Sequence, residues 1–333
     1  MRHPLIAVTD SVFPSLDPAR EVLSRVAGEL LLSQDSTADA IMRVAHDADA
    51  VLVTYAKITA GMIARMPRCR IIARFGIGVD NVDVAAATRA GIVVTRVPDY
   101  CLDEVSDHTM ALLLTVARKI ALANSLVLAG RWAIEDVAPI HRLQGSVLGL
   151  VGFGRIAQLV ASKARAFRLK VISHDPFVSQ EAMRRAGVEK VDFVELLSIS
   201  DYISIHAPLL PETTGLFNAD AFARMKSTAF LINTARGSIV DEEALSRALD
   251  EGRLAGAALD VLSQEPPSRS PLIGRENVIL TPHMSFYSAE SLVDLQRRGA
   301  EEVVRVLKGE MPGCPVNPEV LSSSRQPSTA VKD

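Results

Sequence analysis

The sequence is poor in cysteine, in long apolar runs and in net charge. Its three cysteines, Cys69, Cys101 and Cys314, are too few and too scattered for a disulfide framework or a zinc knuckle, so we expect no metal site. No apolar run approaches the roughly 20 residues that span a bilayer, and the first apolar patch reaches Asp10 too soon for a signal peptide. We therefore expect a cytoplasmic protein without a membrane partner.

The charge balance excludes a further class of partner. The 36 Lys and Arg residues oppose 39 Asp and Glu residues, and the two signs are interspersed along the chain. A net charge of −3 with interspersed signs does not indicate a surface that binds nucleic acid, so we expect no nucleic-acid partner. The hydrophobic fraction of 48% is typical of a globular protein with an ample core, and 333 residues favour two domains.

Short β-branched runs alternate with longer helical patterns along most of the chain. Strands with continuous rather than alternating apolar residues are buried on both faces, and their alternation with helices indicates parallel, doubly wound sheets. The predicted strands are Leu5–Thr9, Ala50–Thr54, Arg70–Phe75, Ile92–Thr95, Val147–Val151, Lys170–His174, Tyr202–His206, Ala229–Asn233, Ala255–Leu259 and Val278–Leu280. The fold class is therefore α/β, with two doubly wound parallel-sheet domains.

The helical patterns suggest where the domains begin and end. The predicted helices are Pro18–Leu31, Glu104–Ala129, Ile156–Phe167, Asp220–Met225, Glu242–Glu251 and Phe286–Gly309. We expect one domain over residues 1–97 plus 287–318 and a second over residues 98–286. Residues 319–333 lack periodicity and are expected to form a mobile tail.

A glycine-rich loop follows the predicted strand Val147–Val151 and precedes a predicted helix. In the string GFGRIA, Gly152 permits a tight turn, Gly154 lets the backbone approach a pyrophosphate, and Ala157 provides the third, small position. The next strand ends at Asp175, at the spacing of roughly 20 residues where a ribose-binding carboxylate belongs. An acid there repels a 2′-phosphate, so the pattern predicts NAD rather than NADP.

Simpler interpretations remain open for parts of this pattern. The glycine loop alone could be a tight turn, and Asp175 alone could belong to a turn before Pro176. A second glycine pair, Gly76 and Gly78, fails as a dinucleotide site because Asn81 stands at the small-residue position and the next strand ends without an acid. Its backbone N–H groups nevertheless suit a small anion such as a carboxylate.

Arg236, Glu265 and His283 come just beyond the last three predicted strands. Each residue alone is more often structural or solvated than catalytic. Their joint occurrence at successive strand ends favours a site, because α/β sheets place chemistry at the carboxyl ends of their strands.

The three residue types match hydride transfer between a nicotinamide and a 2-hydroxy acid. The planar guanidinium of Arg236 can bind a carboxylate bidentately and polarise the 2-oxygen. The imidazole of His283 can exchange the hydroxyl proton near neutral pH. The carboxylate of Glu265 can orient the imidazole and favour its protonated form.

Several strings make the chain resemble the D-isomer-specific 2-hydroxyacid dehydrogenase family, which includes phosphoglycerate dehydrogenase and glyoxylate/hydroxypyruvate reductase. The strings are RFGIGVDNVDV, DHTMALLLTVARK, GLVGFGRIA, HAPLLPETTGLF, FLINTARGSIVDEEAL, ALDVLSQEP and LTPH, and the resemblance covers roughly residues 50–318. It implies a Rossmann-like NAD-binding domain and a flavodoxin-like substrate domain with a substrate cleft between them. It also implies a homodimer formed through the helix near Glu104–Ala129.

The resemblance implies a role for each matching residue. Arg236 would bind the substrate, Glu265 would pair with the imidazole, and His283 would be the acid/base. Candidate substrate-binding residues are Ile77, Gly78, Tyr55 and Lys57. The small molecule that they bind would be a 2-keto or 2-hydroxy acid.

The residues implied in cofactor binding lie along the whole second domain. They are Gly152, Gly154, Arg155 and Ile156 at the pyrophosphate, Asp175 at the ribose, Ala207, Pro208 and Thr213 beside the adenine, and Thr234, Ala235, Arg236, Asp260, His283, Ser285 and Phe286 around the nicotinamide. Asp260 would accept from the nicotinamide carboxamide. His108 and His206 are expected to be structural.

The chain departs from many members of the family just after His283, where Met284, Phe286 and Tyr287 replace small residues. In this feature it most resembles the branch that contains the C-terminal-binding-protein corepressors. These bulky side chains near the nicotinamide would narrow the substrate pocket or require a substrate with an apolar tail. Phosphoglycerate is therefore a disfavoured substrate. An NAD(H)-responsive, corepressor-like or scaffold binding protein on the same fold remains an alternative. Formate oxidation is disfavoured because formate dehydrogenases of the family carry Gln where Glu265 stands.

Overall fold

The computed structural model describes residues 2–322. These residues form two compact units: unit 1 contains the chain up to Tyr100 and again from Ser288 onward, and unit 2 contains Cys101–Tyr287. The borders expected from the sequence lie at Val97 and Phe286. Each unit is built on its own parallel sheet, so the α/β fold class with two parallel-sheet domains is confirmed.

Unit 1 contains a five-stranded sheet. Its strands are β1 (Leu5–Val8), β2 (Glu29–Leu32), β3 (Ala50–Val53), β4 (Ile71–Arg74) and β5 (Val93–Thr95), in the spatial order β2-β1-β3-β4-β5. Every residue of β3, β4 and β5 is buried, as is typical of parallel strands covered on both faces. The strand order reverses beside β1, and such a switch point is where open α/β sheets bind ligands.

Unit 2 contains a seven-stranded sheet. Its strands are β6 (Val147–Val151), β7 (Lys170–His174), β8 (Glu189–Lys190), β9 (Tyr202–Ile205), β10 (Phe230–Asn233), β11 (Gly256–Leu259) and β12 (Val278–Leu280), in the order β12-β11-β10-β9-β6-β7-β8. All of its strand pairs are parallel. The order reverses between β6 and β9, as in dinucleotide-binding sheets.

The helices connect these strands, and most begin at a Ser, Thr, Asp or Asn whose side chain accepts a backbone N–H of the first turn. They are α1 (Asp17–Leu23), α2 (Ala38–Ala45), α3 (Ala60–Ile63), α4 (Val84–Arg89), α5 (Leu102–Ala117), α6 (Ile120–Leu128), α7 (Arg155–Ala166), α8 (Gln180–Arg185), α9 (Phe193–Ile199), α10 (Ala219–Arg224), α11 (Glu242–Asp250), α12 (Ala289–Lys308) and α13 (Glu319–Ser322). The α13 residues belong to the expected mobile tail and correct its start, since Val320 is buried. Residues 323–333 of that tail lie outside the described residues.

The predicted helix Pro18–Leu31 is wrong at its C-terminal end. The helical turns stop at Val26, Ala27 adopts a left-handed φ of 49°, and Gly28 packs so closely that an added Cβ would lie 2.4 Å from Ile6 Cδ1. The chain then runs as β2 beside β1. The three leucines of this segment form an edge strand, which a helical periodicity cannot distinguish from a helix end.

The predicted long helix Glu104–Ala129 is also interrupted. Lys119 has a φ of 50°, and α6 is bent by 60° from α5. The buried face of α5 continues to Ala117, whereas none of the nine residues of α6 is buried. Within residues 2–322 no single helix is long and apolar enough to cross a membrane, and α5 and α6 reach that length and composition only as a bent pair.

Candidate active site

The glycine loop of unit 2 lies at the switch point between β6 and β9. Gly152 has a φ of 91°, and a Cβ added there would lie 2.8 Å from the backbone nitrogen of Ala207, so both backbone and packing require glycine. Gly154 is the N-cap of α7, and an added Cβ there would meet nothing within 4 Å. Gly154 and Arg155 are exposed, while Ala157 is completely buried. This open space at a helix N-terminus fits a pyrophosphate.

Asp175 lies directly after β7 and is bonded to the glycine loop. Its Oδ2 accepts the N–H of Phe153 at 2.8 Å, and its Oδ1 accepts the N–H of Phe177 at 2.8 Å. The carboxylate is therefore fixed beside the glycine loop, at the position expected for a ribose-binding acid. The residues predicted to border the adenine follow β9. Ala207 is buried against Gly152, Pro208 is exposed, and Thr213 Oγ1 donates to the Pro208 carbonyl at 2.7 Å.

The loop after β10 positions Arg236. The buried side chain of Asn233 accepts the N–H of Ala235 at 2.9 Å and donates to the carbonyl of Arg236 at 2.9 Å. Gly237 lies so near the next loop that an added Cβ would be 1.9 Å from the carbonyl carbon of Leu262. The loops that carry Arg236 and Glu265 therefore pack backbone against backbone. Gly237 was not predicted from the sequence, because this contact joins segments that are distant along the chain.

His283 and Glu265 are in direct contact. The Nδ1 of His283 lies 2.6 Å from Oε2 of Glu265, and the two side chains are 22% and 30% exposed. The other carboxylate oxygen of Glu265 accepts the backbone N–H of Leu262 at 2.9 Å. Glu265 is thus oriented by its own loop and in turn fixes the imidazole. Because Nδ1 faces the carboxylate, Nε2 is the ring atom that can exchange a proton with a substrate.

Asp260 supports the loop that carries His283. It is completely buried at the end of β11, where Oδ1 accepts the Thr281 hydroxyl at 2.6 Å and the Met284 N–H at 2.9 Å. Oδ2 accepts the N–H of Ser285 at 2.9 Å. The family resemblance implies that Asp260 accepts a hydrogen bond from the nicotinamide carboxamide. The structure shows a second role, because both carboxylate oxygens of Asp260 accept hydrogen bonds from the loop that contains His283.

Helix α5 contacts two of these loops. His108 Nε2 lies 3.1 Å from Thr281 Oγ1, and Thr109 Oγ1 lies 2.9 Å from Thr234 Oγ1. Both contacts join α5 to segments that the sequence associated with the nicotinamide. His108, expected to be structural, therefore supports the hydroxyl that donates to Asp260.

The bulky residues after His283 are near its ring. The Phe286 ring lies edge-on to the imidazole with a centroid distance of 6.4 Å, and Ser285 is buried. His206, the other histidine expected to be structural, lies at the end of β9. Its Nε2 is 2.9 Å from Ser204 Oγ, and burial lowers the pKa of the His206 imidazole to about 4.

The candidate substrate-binding residues lie on two joined loops of unit 1. The Nδ2 of Asn81 donates to the carbonyls of Thr54 and Ala56, at 3.1 and 3.0 Å, and thereby ties the loop after β4 to the loop after β3. Asp10, after β1, accepts the N–H of Tyr55 at 2.6 Å. Ile77 and Gly78 are partly exposed, and Tyr55 and Lys57 are exposed, on the loops that these bonds hold. The sequence analysis did not predict the role of Asp10 or the link made by Asn81. It noted Asn81 only because that residue occupies the small-residue position of the second glycine loop.

No group of three or more His, Cys, Asp or Glu side chains within residues 2–322 is arranged to hold a metal ion.

Comparison with known proteins shows the family. A family model described as "D-isomer specific 2-hydroxyacid dehydrogenase, NAD binding domain" matches residues 110–285, more than half of the chain. The chain belongs to this family. Unit 2 contains its NAD-binding domain, and the residues of the glycine loop and Asp175 fit NAD. Placement in the corepressor-like branch stays a prediction.

Relatives of this chain include dehydrogenases and reductases. The chain is 40% identical to a glyoxylate reductase of Thermococcus litoralis over 284 residues, which cover 84% of this chain and 86% of that protein. It is 38% identical to a D-3-phosphoglycerate dehydrogenase of Methanocaldococcus jannaschii over 308 residues, which cover 92% of this chain and 58% of that one. The chain thus spans a little over half of the length of such phosphoglycerate dehydrogenases.

The structure of this chain is similar to a solved structure of D-lactate dehydrogenase from Aquifex aeolicus complexed with NAD and lactic acid. The TM-score is 0.86 at 28% identity, and the match covers 94% of this chain and 99% of the other.

Proposed function

We propose that this chain is an NAD-dependent oxidoreductase that transfers a hydride between the nicotinamide and C2 of a small D-2-hydroxy or 2-keto acid. The observation that carries the proposal is the 2.6 Å contact between His283 and Glu265, on a sheet edge that also presents Arg236 and the Gly152 loop. NAD(H), when bound, exchanges the hydride with the substrate. The residues of this chain bind the two molecules and move the proton.

The cofactor would be held by the residues at the carboxyl edge of the unit 2 sheet. The first turn of α7, which begins at Arg155 and Ile156, would bind the pyrophosphate, and Asp175 would bind the adenosine ribose. Ala207, Pro208 and Thr213 would border the adenine. Thr234, Ala235, Asp260, Ser285 and Phe286 would surround the nicotinamide.

The proton would pass through His283. In the direction of reduction, the imidazolium donates its Nε2 proton to the 2-oxygen of the keto acid, and in oxidation the neutral ring accepts it. Glu265 stabilises the imidazolium because a carboxylate 2.6 Å away opposes its charge. Arg236 would bind the substrate carboxylate and polarise the 2-oxygen with its planar guanidinium.

In unit 1, the substrate-binding role would belong to the loops that Asn81 and Asp10 hold together. The backbone N–H groups of Ile77 and Gly78 suit a carboxylate, because successive N–H groups in a glycine loop form a concave anion site. Tyr55 and Lys57 are further candidates for contact with the substrate side chain.

A substrate panel tests the proposed activity. We expect the purified chain to oxidise NADH with at least one of glyoxylate, hydroxypyruvate, pyruvate, phenylpyruvate and 2-ketoisocaproate. His283→Ala should abolish turnover while NADH binding, measured by fluorescence titration, changes far less. The chemistry would be refuted by a wild-type chain that binds NADH but turns over none of these acids, and such a result would support a binding role instead.

We also propose that the chain forms a homodimer through the region of α5 and α6. The side chains of Leu128, Trp132 and Ile134 are 80%, 88% and 80% exposed, and no residue of α6 is buried. These three large apolar side chains lie within residues 128–134, and exposed apolar residues that lie close together mark a protein interface. Analytical ultracentrifugation should show a dimer for the wild type and a monomer for Leu128→Glu. The matched control is Phe177→Glu, an equally exposed aromatic elsewhere in unit 2.

A further inference from the structure

A basic pocket of about 430 Å³ lies in unit 1 at the amino-terminal edge of its sheet. We define the basic pocket by five cations and one acid, which are Arg2, Arg25, Arg68, Arg70, Lys308 and Asp49. Arg70 directly precedes β4, Asp49 directly precedes β3, and Lys308 ends α12. The glycine loop with Ile77 and Gly78 follows β4 at the opposite edge of the same sheet. The basic pocket is therefore separate from the candidate substrate loops of unit 1.

The single acid of the basic pocket cannot neutralise its cations. Asp49 accepts Arg68 Nη2 at 2.8 Å and the N–H of Leu5 at 2.9 Å, and Arg2 Nη2 lies 3.7 Å from it. One carboxylate thus serves two guanidinium groups and a backbone amide. Both of its carboxylate oxygens are therefore already engaged.

The remaining cations have few anionic partners. Arg70 donates to the carbonyls of Val306 and Leu307, at 2.7 and 3.1 Å, which carry no full charge but only the partial negative charge of the α12 C-terminus. Arg25 pairs with Glu301 at 2.7 Å. Among the described residues no carboxylate lies within ion-pair distance of Lys308. The basic pocket therefore keeps an excess of positive charge on a chain whose net charge is −3.

Like charges that converge in a concave surface repel each other, and a bound anion relieves that repulsion. The arginines present planar donor forks that match the oxygens of phosphate groups, and a volume of this size accommodates a small molecule. We infer that the basic pocket binds a small phosphorylated molecule. This site goes beyond the proposed dehydrogenase activity and does not depend on it.

Isothermal titration with inorganic pyrophosphate tests the site. The protein is first saturated with NADH, so that the Gly152 loop does not contribute to the signal. We expect one pyrophosphate per chain, with an affinity that falls as salt is added. The double variant Arg68→Gln/Lys308→Gln should bind about tenfold more weakly or worse, because it removes two charge-assisted contacts.

The control is Arg184→Gln/Arg185→Gln, which removes two exposed arginines from α8 in unit 2. It changes the net charge by the same amount and should leave the pyrophosphate affinity within about twofold, since it lies outside the basic pocket. Absence of binding to the wild type, or an equal loss in both double variants, would overturn the site. Citrate as a second probe checks the phosphate assignment, which fails if citrate binds and pyrophosphate does not.

Discussion

His283 has a φ of 50°, and the buried carboxylate of Asp260 accepts the N–H groups of the two residues that follow it, each at 2.9 Å. The N–H of His283 itself donates to the carbonyl of Asp260 at 2.8 Å. A left-handed conformation is unfavourable for a residue with a Cβ, at a cost of about 1 kcal/mol or more. The hydrogen bonds to Asp260 offset this cost, so the proposed acid/base is held in place by a neighbour buried beneath it.

Asp260→Asn tests this positioning role. The amide keeps one acceptor oxygen but places an NH2 group against backbone N–H donors, which leaves at least one buried donor unsatisfied, at a cost of about 1–3 kcal/mol. We expect kcat for keto-acid reduction to fall about tenfold or more, with a much smaller change in the KM for the keto acid. The matched control is Asp250→Asn, a 62% exposed carboxylate paired with Arg275. Equal kcat values for Asp260→Asn and the wild type would contradict the role.

Glu265→Gln should slow keto-acid reduction. The variant replaces the charged acceptor 2.6 Å from Nδ1 of His283 by a neutral amide, so the imidazole is held less firmly in the orientation that serves proton transfer. We expect kcat to fall about tenfold or more, with a smaller change in KM for the keto acid. Initial rates, compared with those of the exposed control Glu276→Gln, provide the measurement. An unchanged kcat would remove Glu265 from the mechanism.

Substitutions at Gly152 and Gly154 should have different effects, the first on stability and the second on the proposed cofactor binding. Gly152→Ala forces a side chain into a φ of 91° and against the Ala207 backbone, so we expect a loss of stability of about 2 kcal/mol or more. Gly154→Ala meets nothing within 4 Å, so Tm should fall much less than in Gly152→Ala, by the small cost of alanine at a helix N-cap. Its methyl group would instead occupy the space proposed for the pyrophosphate and weaken NADH binding. Thermal melts and NADH titrations of both variants test this, and strong NADH binding by Gly154→Ala would argue against the site.

His206 should make the protein sensitive to acid. Its folded pKa of about 4 lies below the unfolded value of about 6.5. Between these values the unfolded chain binds a proton that the folded chain does not, so stability is lost as the pH falls through this window. We expect the loss from this group to be on the order of 2 kcal/mol, less than the full pKa shift implies, because His206 is only partly shielded from solvent.

His206→Gln should reduce that acid sensitivity. Denaturant unfolding at about pH 7.5 and about pH 5 gives the free energy at each end of the window. The exposed control His46→Gln should retain the pH dependence of the wild type, since its ring is 53% exposed. If His206→Gln loses as much stability as the wild type does between the two pH values, the assignment is wrong.

The sequence predicted the strands of both sheets well where burial determines the residue types. The strands β6, β7 and β12 match their predicted bounds, and most others differ by one residue. The strands β2 and β8 were missed, although the edge strands β5 and β12 were predicted. The leucines of β2 also fit the end of a helical pattern, and β8 consists of only two charged residues, Glu189 and Lys190, which carry no apolar signal.

The site was predictable as a set of residue types but not as a network of contacts. Arg236, Glu265 and His283 stood out because strand ends and ionisable side chains are visible in a sequence. The supporting contacts join distant segments, such as Asn81 to the Thr54 carbonyl and Gly237 to Leu262. Nothing local marks such pairs, because a glycine or an asparagine in a loop has many uses.

The position of Asp175 has a practical consequence for coenzyme engineering. Because Asp175 is proposed to bind the ribose, its exchange for a neutral or basic residue is the obvious way to admit a phosphorylated coenzyme. The same carboxylate, however, accepts the amide of Phe153 in the turn that Gly152 begins. A substitution at Asp175 alone would therefore widen the coenzyme selectivity but also loosen the turn. A second substitution would be needed to restore an acceptor for the Phe153 amide.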